Sequence, residues 1–374
     1  MKNPFPVSGY FGPSTFCDRI QELTWIENQM QGGVPAVIIG IRRLGKTGLI
    51  KHYFRKLDKT GKEKGIFIDL QGTTTLNGLI EKLAVGISTA FPEKNHQKLW
   101  NAILSFRPNI SFDPLTGSPQ IGFDFKTTTE AKKGLGSLLA LLSKQKIDVV
   151  LAFDEFQEIA NYTDLNMEGI IRSEMQSFPS LRYLFSGSKT HLLNQMFQEG
   201  SRPFFGGVQK LYLAKLNNEI YSKFILKKFE RAEMKIDVRQ VEDILNWTQT
   251  HTYYTQYICN QIFVETKDRL SAKHLDQIKW RILQVSKQDF FQLRDIISKG
   301  QWRLLVAIAK EEHLYQPTST RIMDKYKLNT PRAIIKALST LLDKQLIYQE
   351  FNDHGEKYYN LSDVFLMRFI QNYI

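Results

Sequence analysis

The stretch Gly40-Ile41-Arg42-Arg43-Leu44-Gly45-Lys46-Thr47 decides the fold of this chain. It follows the pattern Gly-x-x-x-x-Gly-Lys-[Ser/Thr], whose glycines let the backbone curl so that successive N–H groups point at phosphate oxygens. An apolar predicted strand, 34–40, precedes the pattern, and a predicted helix, 45–56, follows it. In that setting a phosphate-binding loop is favoured over a Gly-rich turn without function.

This pattern assigns a role to each of its last two residues. Lys46 is predicted to neutralise the β- and γ-phosphates of a nucleotide, both for binding and for catalysis, and the Thr47 hydroxyl to ligate Mg²⁺. The residues of the pattern, together with Gly48, are the predicted nucleotide-binding set.

A second apolar run, 149–153, ends in Asp154-Glu155. A strand that ends in this way places its carboxylates at the carboxyl edge of a sheet, beside the phosphate loop. We expect Asp154 to hold Mg²⁺ through water, and Glu155 to orient and deprotonate an attacking water. The alternative is a strand followed by a solvated acidic turn.

Strands alternate with helices up to Leu216, which predicts a parallel sheet in an α/β domain. Within it, 109–125 reads as an inserted β-hairpin around Asp113-Pro114-Leu115-Thr116-Gly117. Residues 217–299 read as helical throughout, without a strand. Residues 300–374 read as three short helices, a hairpin and a last helix, which is the order of a winged helix. The predicted domains are therefore 1–216, 217–299 and 300–374.

Composition and charge narrow the class of protein. Of 374 residues, 42% are hydrophobic and 24% are charged, as in soluble globular proteins, and no apolar run approaches the ~20 residues of a membrane span. Without a signal-peptide core, and with only Cys17 and Cys259, the sequence predicts a cytoplasmic protein with reduced thiols. The histidines show no zinc spacing.

The net charge is +12, but residues 300–374 hold ten basic and eight acidic residues, so the excess lies mainly elsewhere. We interpret this excess positive charge as charge spread over the surface, which favours solubility, together with the cations of a nucleotide site. We do not interpret it as a nucleic-acid surface.

Several segments resemble one known family: Phe16-Cys17-Asp18-Arg19, Arg42-Arg43-Leu44-Gly45-Lys46-Thr47-Gly48, Ile110-Ser111-Phe112-Asp113-Pro114-Leu115-Thr116-Gly117, Asp154-Glu155-Phe156-Gln157-Glu158-Ile159, Phe185-Ser186-Gly187-Ser188 and Arg202-Pro203-Phe204-Phe205. The chain is similar to the archaeal-type ATPase family, related to the STAND group of AAA-like P-loop ATPases, and in particular to its Bacteroidetes-type branch. The resemblance implies an AAA-like, additional-strand core that binds ATP, a helical lid and a C-terminal winged helix.

The resemblance also implies further site residues. Ser188, with Ser186 as second choice, is placed at a sensor position for the γ-phosphate or the attacking water; capping of the following helix is the alternative for Ser188. Arg202 is placed to reach the γ-phosphate, where the alternative is a solvated surface arginine. The family often has Gly-Arg where this chain has Gly206-Gly207, so Arg202 is the only arginine of its loop.

Two segments bear on contact with the adenine or ribose of the nucleotide. In Thr250-His251-Thr252-Tyr253-Tyr254 the family has proline where this chain has Thr252, so core packing of both tyrosines is favoured over contact with adenine. Arg19 is placed over the adenine or ribose, with a helix-surface arginine as the alternative.

The sequence of the winged helix is compatible with either DNA or a protein as its partner. The exposed face of the helix 331–344 carries Arg332, Lys336, Ser339 and Thr340, which suit DNA contacts, whereas the wing is mainly acidic. Contact with a protein is favoured over contact with DNA.

The sequence thus predicts a slowly hydrolysing ATPase that acts as a switch, in which Mg-ATP hydrolysis moves the helical lid and the winged helix. One alternative is a DNA-binding regulator or a mobile-element or defence ATPase, and another is a nucleotide-binding scaffold with little turnover. The expected partners are ATP or ADP and a protein or a second copy of this chain, with DNA as the alternative and no membrane.

Overall fold

A five-stranded parallel sheet forms the core of the first part of the chain, in a computed structural model that describes residues 3–105, 108–112, 119–162 and 166–374. The strands along the chain are β1 (Ala36–Ile39), β2 (Glu63–Asp69), β3 (Asn109–Phe112), β4 (Pro119–Gly122), β5 (Asp148–Asp154), β6 (Arg182–Gly187), β7 (Gln209–Tyr212), β8 (Leu314–Tyr315), β9 (Ile347–Phe351) and β10 (Lys357–Leu361). The order in the main sheet is β2-β5-β6-β1-β7. The additional strand β6 therefore lies between β1, which leads into the phosphate loop, and β5, which ends in the predicted carboxylates.

Fifteen α-helices are described alongside these strands. They are α1 (Ile20–Gln31), α2 (Lys46–Thr60), α3 (Leu76–Ala90), α4 (Gln97–Ser105), α5 (Thr128–Ser143), α6 (Met167–Ser177), α7 (Thr190–Gln198), α8 (Asn218–Arg231), α9 (Val238–Trp247), α10 (Thr252–Glu265), α11 (Ala272–Ile296), α12 (Lys299–Glu311), α13 (Thr320–Tyr326), α14 (Pro331–Asp343) and α15 (Val364–Tyr373). No helix of the described ranges is long and apolar enough to cross a lipid bilayer.

The register of the sheet fixes the edge at which chemistry is possible. Ile39 pairs with Gly187, and Asp69 pairs with Asp154. Because all five strands are parallel, these carboxyl ends share one edge. β5 is buried from Val149 to Asp154, which explains its nearly continuous apolar sequence.

The inserted hairpin pairs β3 with β4 in antiparallel register. Its predicted turn, Asp113–Gly117, lies outside the described residues. The second strand was predicted to extend to Phe125, but β4 ends at Gly122, because the backbone after Gly122 no longer pairs with β3. The Phe123 N–H donates to Glu81 Oε1 at 3.3 Å, and the rings of Phe123 and Phe125 stack with centroids 5.4 Å apart.

The C-terminal part forms the predicted winged helix. Helices α12, α13 and α14 are followed by the hairpin β9–β10 and by α15. A short strand that the sequence did not reveal, β8, adds to this hairpin in the order β8-β10-β9. In the preceding helical segment, Lys235 and Arg269 form an isolated parallel bridge, so the expectation of no strand pairing there was wrong at one residue pair.

By its internal contacts the chain divides into two compact units. The sheet unit comprises Arg19–Gly40 and Lys46–Leu213, and the helical unit comprises the described residues up to Asp18, Ile41–Gly45 and Ala214–Ile374. The predicted division into three domains stays a prediction.

The N-terminal segment is part of the helical unit. Phe5 is fully buried against Phe229, with ring centroids 4.6 Å apart, and Asn260 Nδ2 donates to the Phe5 carbonyl at 2.8 Å. Lys228 Nζ also donates to the Ser14 carbonyl. These contacts explain why residues 3–18 pack with α8 and α10, although the sequence places them before the sheet.

Candidate functional site

The phosphate loop ends where α2 begins. Lys46 is buried at the first position of α2, and its Nζ donates to the Gly40 carbonyl at 2.8 Å. Gly45 has a φ of +105°, which side-chain-bearing residues rarely adopt, so the pattern requires glycine here. The loop therefore brings a cation to a helix N-terminus, the arrangement that favours phosphate.

Thr47, Asp154 and Ser186 form one hydrogen-bonded group in the sheet unit. The Thr47 hydroxyl donates to Asp154 Oδ2 at 2.5 Å, and the buried Ser186 hydroxyl donates to Asp154 Oδ1 at 2.5 Å. The predicted Mg²⁺ ligands Thr47 and Asp154 thus meet directly. Hydroxyl and carboxylate oxygens are the donors that Mg²⁺ prefers, so this pair fits that ion.

Glu155 follows Asp154 in a left-handed turn, with φ of 51° and ψ of 43°. The turn brings its carboxylate to the residue that follows β6, Ser188, whose Oγ donates to Oε2 at 2.8 Å. Gln157 Nε2 donates to the same oxygen. Glu155 is thus held in place by side chains from two elements.

The two predicted serines have different partners. Ser188 contacts the second carboxylate, Glu155, and Ser186 contacts the first, Asp154. Helix α7 begins at Thr190 with Lys189 as its N-cap, so Ser188 does not cap it. The structure therefore joins both serines to the acidic pair, and the sensor role of Ser188 stays a prediction.

One acidic residue at this edge was missed. Asp69 ends β2 directly beside Asp154 in the register. Burial raises the pKa of Asp69, and the charges of Asp154 and Glu155 act in the same direction. The signal was present, because the run Gly-Ile-Phe-Ile-Asp also ends a buried strand in a carboxylate.

The middle of the phosphate loop contacts α10. The guanidinium of Arg43 lies over the Tyr253 ring, 4.3 Å from its centroid, and the Thr252 hydroxyl donates to the Leu44 carbonyl at 3.2 Å. The residue that replaces the family's proline is therefore bonded to the loop. Tyr254 is buried against Phe365 of α15, as the core-packing interpretation expected.

His251, at the N-cap of α10, is buried and contacts the backbone of Arg42. Burial lowers its pKa to about 3, and the charges of Lys215 and Arg43 add to the shift. The imidazole is therefore neutral at physiological pH, and it contributes no positive charge to the loop.

Arg202 lies in an ion pair away from the acidic group. Its Nη1 is 2.8 Å from Glu168 Oε1 in α6, and its Nε is 3.6 Å from Glu199 Oε2. Burial raises the pKa of Glu168, and the Arg202 charge opposes that shift. Arg202 is 40% exposed but paired, so the description as a solvated surface arginine is incomplete, and contact with a γ-phosphate stays a prediction.

Arg19 is buried at the N-cap of α1, which excludes the surface alternative. Its Nη1 bonds to Glu22 Oε1 at 2.7 Å, while its Nη2 is buried without a hydrogen bond to any described residue. Contact with adenine or ribose stays a prediction.

The predicted DNA-facing residues share the outer face of α14. Arg332, Lys336 and Ser339 are exposed, and Ile335 between them is 61% exposed. Thr340 is half-buried, and its hydroxyl donates to the Lys336 carbonyl at 3.0 Å, within the same helix. Three of the four side chains are therefore available to a partner.

Comparisons with known families match both ends of the chain. A family model described as an ATPase domain predominantly from Archaea matches residues 16–179. A second, described as a probable winged helix domain, matches residues 288–372. No curated protein matches the chain.

Solved structures share the whole architecture at low identity. The Walker-type ATPase PABY2304 of Pyrococcus abyssi is 17% identical, with a TM-score of 0.69 over 98% of this chain and 99% of that one. The ORC2 protein of Aeropyrum pernix, in ADPNP–ADP complexes, is 13% identical, with a TM-score of 0.60 over 99% and 97%. The ORC1 protein of the same organism, in complex with DNA, is 10% identical, with a TM-score of 0.53 over 100% and 97%.

At these identities the solved structures establish the fold, and the family models establish the domain types. The chain therefore carries a P-loop ATPase domain of archaeal type, built on a parallel α/β sheet, together with a C-terminal winged helix domain.

Proposed function

We propose that this protein binds ATP with Mg²⁺, hydrolyses it, and uses the nucleotide state to change the contacts of its C-terminal helices. The observation that carries the proposal is the hydrogen bond between Thr47 and Asp154 at the sheet edge, which joins the residue after Lys46 to the residue before Glu155. A cation, a hydroxyl and two carboxylates in this arrangement are the parts that phosphoryl transfer to water requires.

In the proposed complex the loop residues 40–48 surround the phosphates. Lys46, now bonded to the Gly40 carbonyl, turns to the β- and γ-phosphates and replaces one neutral acceptor by charged ones. Thr47 would hold Mg²⁺ directly and Asp154 would hold it through water, and the bound ion would neutralise charge on the phosphate oxygens. The sheet edge thus binds both the anion and its counter-ion.

Hydrolysis then depends on Glu155. Water attacks the γ-phosphorus, the bond to the ADP oxygen breaks with its electron pair leaving on ADP, and the water proton passes to Glu155. Ser188 keeps the carboxylate oriented through Oε2. The assay that tests this step is phosphate release from ATP, with EDTA-treated protein as the metal-free comparison.

Arg43 supports the switch part of the proposal. It lies over Tyr253, 4.3 Å from the ring centroid. Burial raises the pKa of Asp363, and the Arg43 charge, with the hydrogen bonds that this carboxylate accepts, opposes the shift. Asp363 caps α15 by accepting from the N–H groups of Phe365 and Leu366, at 2.8 and 3.1 Å. We therefore expect a phosphate that attracts Arg43 to weaken its contact with Tyr253 of α10 and its electrostatic attraction to Asp363, the cap of α15.

We expect Arg43→Ala to reduce this communication. In the wild-type protein a non-hydrolysable ATP analogue should change amide hydrogen exchange in residues 363–374, and in Arg43→Ala that change should fall to less than about half.

Arg42→Ala is the matched control, because the neighbouring exposed arginine makes no aromatic contact among the described residues. An exchange difference in α15 that survives Arg43→Ala at full size would contradict the proposed route.

A DNA-binding function is the second candidate, on one observation. Arg332 and Lys336 are exposed one turn apart on α14, and neither forms an ion pair with a residue that the structure describes. Exposed, unpaired cations on the outer helix of a winged helix suit contact with phosphates.

For this candidate, the double variant Arg332→Glu/Lys336→Glu should weaken binding to duplex DNA at least ~10-fold and lower the salt slope by about two charges. Lys310→Glu, at the end of α12, is the charge-reversal control, and each of the single variants Arg332→Glu and Lys336→Glu changes the net charge by the same two units. Fluorescence anisotropy at several salt concentrations measures both quantities. Equal affinity of the double variant and the control for duplex DNA would refute the proposal that this face of α14 contacts DNA.

The scaffold alternative is tested by the same phosphate-release assay, because it requires ATP binding without measurable turnover. Membership of the STAND group and of its Bacteroidetes-type branch, a cytoplasmic location, and a protein or second copy of this chain as partner stay predictions.

A further inference from the structure

We propose that Gln157 is a positioning residue that selects which oxygen of Glu155 accepts the proton during hydrolysis, an inference that rests on the proposed function. Both donors to this carboxylate, Gln157 Nε2 and Ser188 Oγ, reach Oε2. Oε1 accepts no hydrogen bond from the part of the chain that the structure describes. The geometry therefore leaves one oxygen held and the other open to water.

The orientation of the Gln157 amide is fixed by chemistry. A flipped amide would place its oxygen against the Glu155 carboxylate, and two acceptors would repel. Nε2 must therefore face Glu155, and Oε1 faces inward. Oε1 is buried without a hydrogen-bond partner among the described residues, which is an unfavourable state for an amide. The cost indicates that the site retains this amide for the bond made by Nε2.

The surroundings of Gln157 are shaped to hold it. The side chain is 1% exposed, in a six-residue 3₁₀ segment, Phe156–Asn161, that starts directly after Glu155. It lies against Gly187 at the end of β6, where an added Cβ would be 1.9 Å from Gln157 Oε1 and 2.9 Å from Leu193 Cδ1. Any side chain at Gly187 would displace the amide.

The left-handed turn at Glu155 completes the arrangement. Its φ of 51° lets residue 157 return to the carboxylate two positions earlier. Non-glycine residues adopt this region at a cost, and such strain persists where the surrounding contacts enforce it. The two donors on Oε2 are contacts of that kind.

The proposed consequence concerns the proton. With Oε2 engaged by two donors, Oε1 is the basic atom that meets the attacking water. Water loses its proton to Oε1 as its oxygen bonds to the γ-phosphorus and ADP leaves with the electrons of the broken bond. Without Gln157 the carboxylate rotates about its side-chain torsions, and fewer complexes have an oxygen correctly placed.

The test is Gln157→Leu, which keeps the volume and removes the donor. We expect kcat for ATP hydrolysis to fall about 10- to 100-fold, the loss typical for one hydrogen bond to a charged group, while the nucleotide Kd stays within about 2-fold. Gln145→Leu is the matched control, since this amide of the same unit has one hydrogen-bond partner among the described residues, the Leu141 carbonyl at 2.9 Å in the preceding helix.

A second variant separates positioning from packing. Gln157→Glu keeps the shape, but its new carboxyl can donate to Glu155 only when protonated. The ratio of its kcat to that of the wild-type protein should therefore rise as pH falls. A merely structural role would lower activity without this dependence on pH.

The outcomes are distinct. A kcat of Gln157→Leu equal to that of the wild-type protein, or parallel losses of binding and turnover that follow a lower Tm, would overturn the positioning role alone. A wild-type protein without turnover would overturn the proposed function, and the inference with it. A loss of kcat at constant Kd, with the pH-dependent recovery of Gln157→Glu, supports it.

Discussion

Lys46→Ala should abolish nucleotide binding at micromolar concentrations. The ammonium is buried at the first position of α2 and has the Gly40 carbonyl as a hydrogen-bond partner, so it is already held at the loop. Alanine removes the one buried cation that the loop supplies to the phosphates. Because hydrogen bonds between charged groups contribute about 1.5–3 kcal/mol each, we expect the ATP Kd to rise at least ~100-fold.

Isothermal titration with ATP measures this effect, and a thermal shift supports it. Bound nucleotide raises the Tm of the wild-type protein by mass action, and the variant should show no such rise. Lys56→Ala is the control from the same helix, since Lys56 is exposed and pairs with Glu27. ATP binding by Lys46→Ala as tight as that of Lys56→Ala would refute the assignment of this loop as the nucleotide site.

Glu155→Gln should separate binding from hydrolysis. The amide keeps the size of the side chain and can still accept from Ser188 and Gln157, so the turn at Glu155 should persist. It cannot take a proton from water. General-base catalysis contributes typically 10²- to 10⁴-fold, so we expect kcat to fall at least ~100-fold while the ATP Kd changes less than about 3-fold.

The matched control is Glu158→Gln, three residues later. Glu158 is 3.6 Å from Lys189 and makes no contact with Asp154 or Thr47 among the described residues. Its variant should retain kcat within about 2-fold, because this half-buried ion pair lies outside the group formed by Thr47, Asp154 and Ser186. Normal turnover by Glu155→Gln would assign the general base to another group. The candidate is Asp69, whose strand position pairs with that of Asp154.

The core of the site was predictable because it depends on local patterns. A strand, a glycine-rich loop and a helix follow one another at Gly40 to Thr47, and a second buried strand ends at Asp154. The carboxyl ends of parallel strands then meet by necessity. The position of β6 between these strands was implied by family resemblance alone, because strand order depends on pairings distant in sequence.

The contacts and elements that were not predicted depend on geometry that the sequence does not encode locally. Gln157 reaches Glu155 only because Glu155 adopts a left-handed turn, and no propensity predicts a glutamate there. Arg202, in the loop after α7, pairs with Glu168 of α6, 34 positions earlier, and the pattern of apolar residues gives no information on such a pairing. The strand β8 has two residues, too few for any periodicity.

The packing of residues 3–18 on α8 and α10 has a consequence for the order of synthesis. Phe5 and its partner Asn260 are 255 positions apart, and all of the sheet unit is made between them. At about 5–20 residues per second, this segment waits roughly 13 to 50 seconds on the ribosome before its binding surface exists. The sheet unit can therefore fold first, while Phe5 stays exposed to water until α8 and α10 have been synthesised.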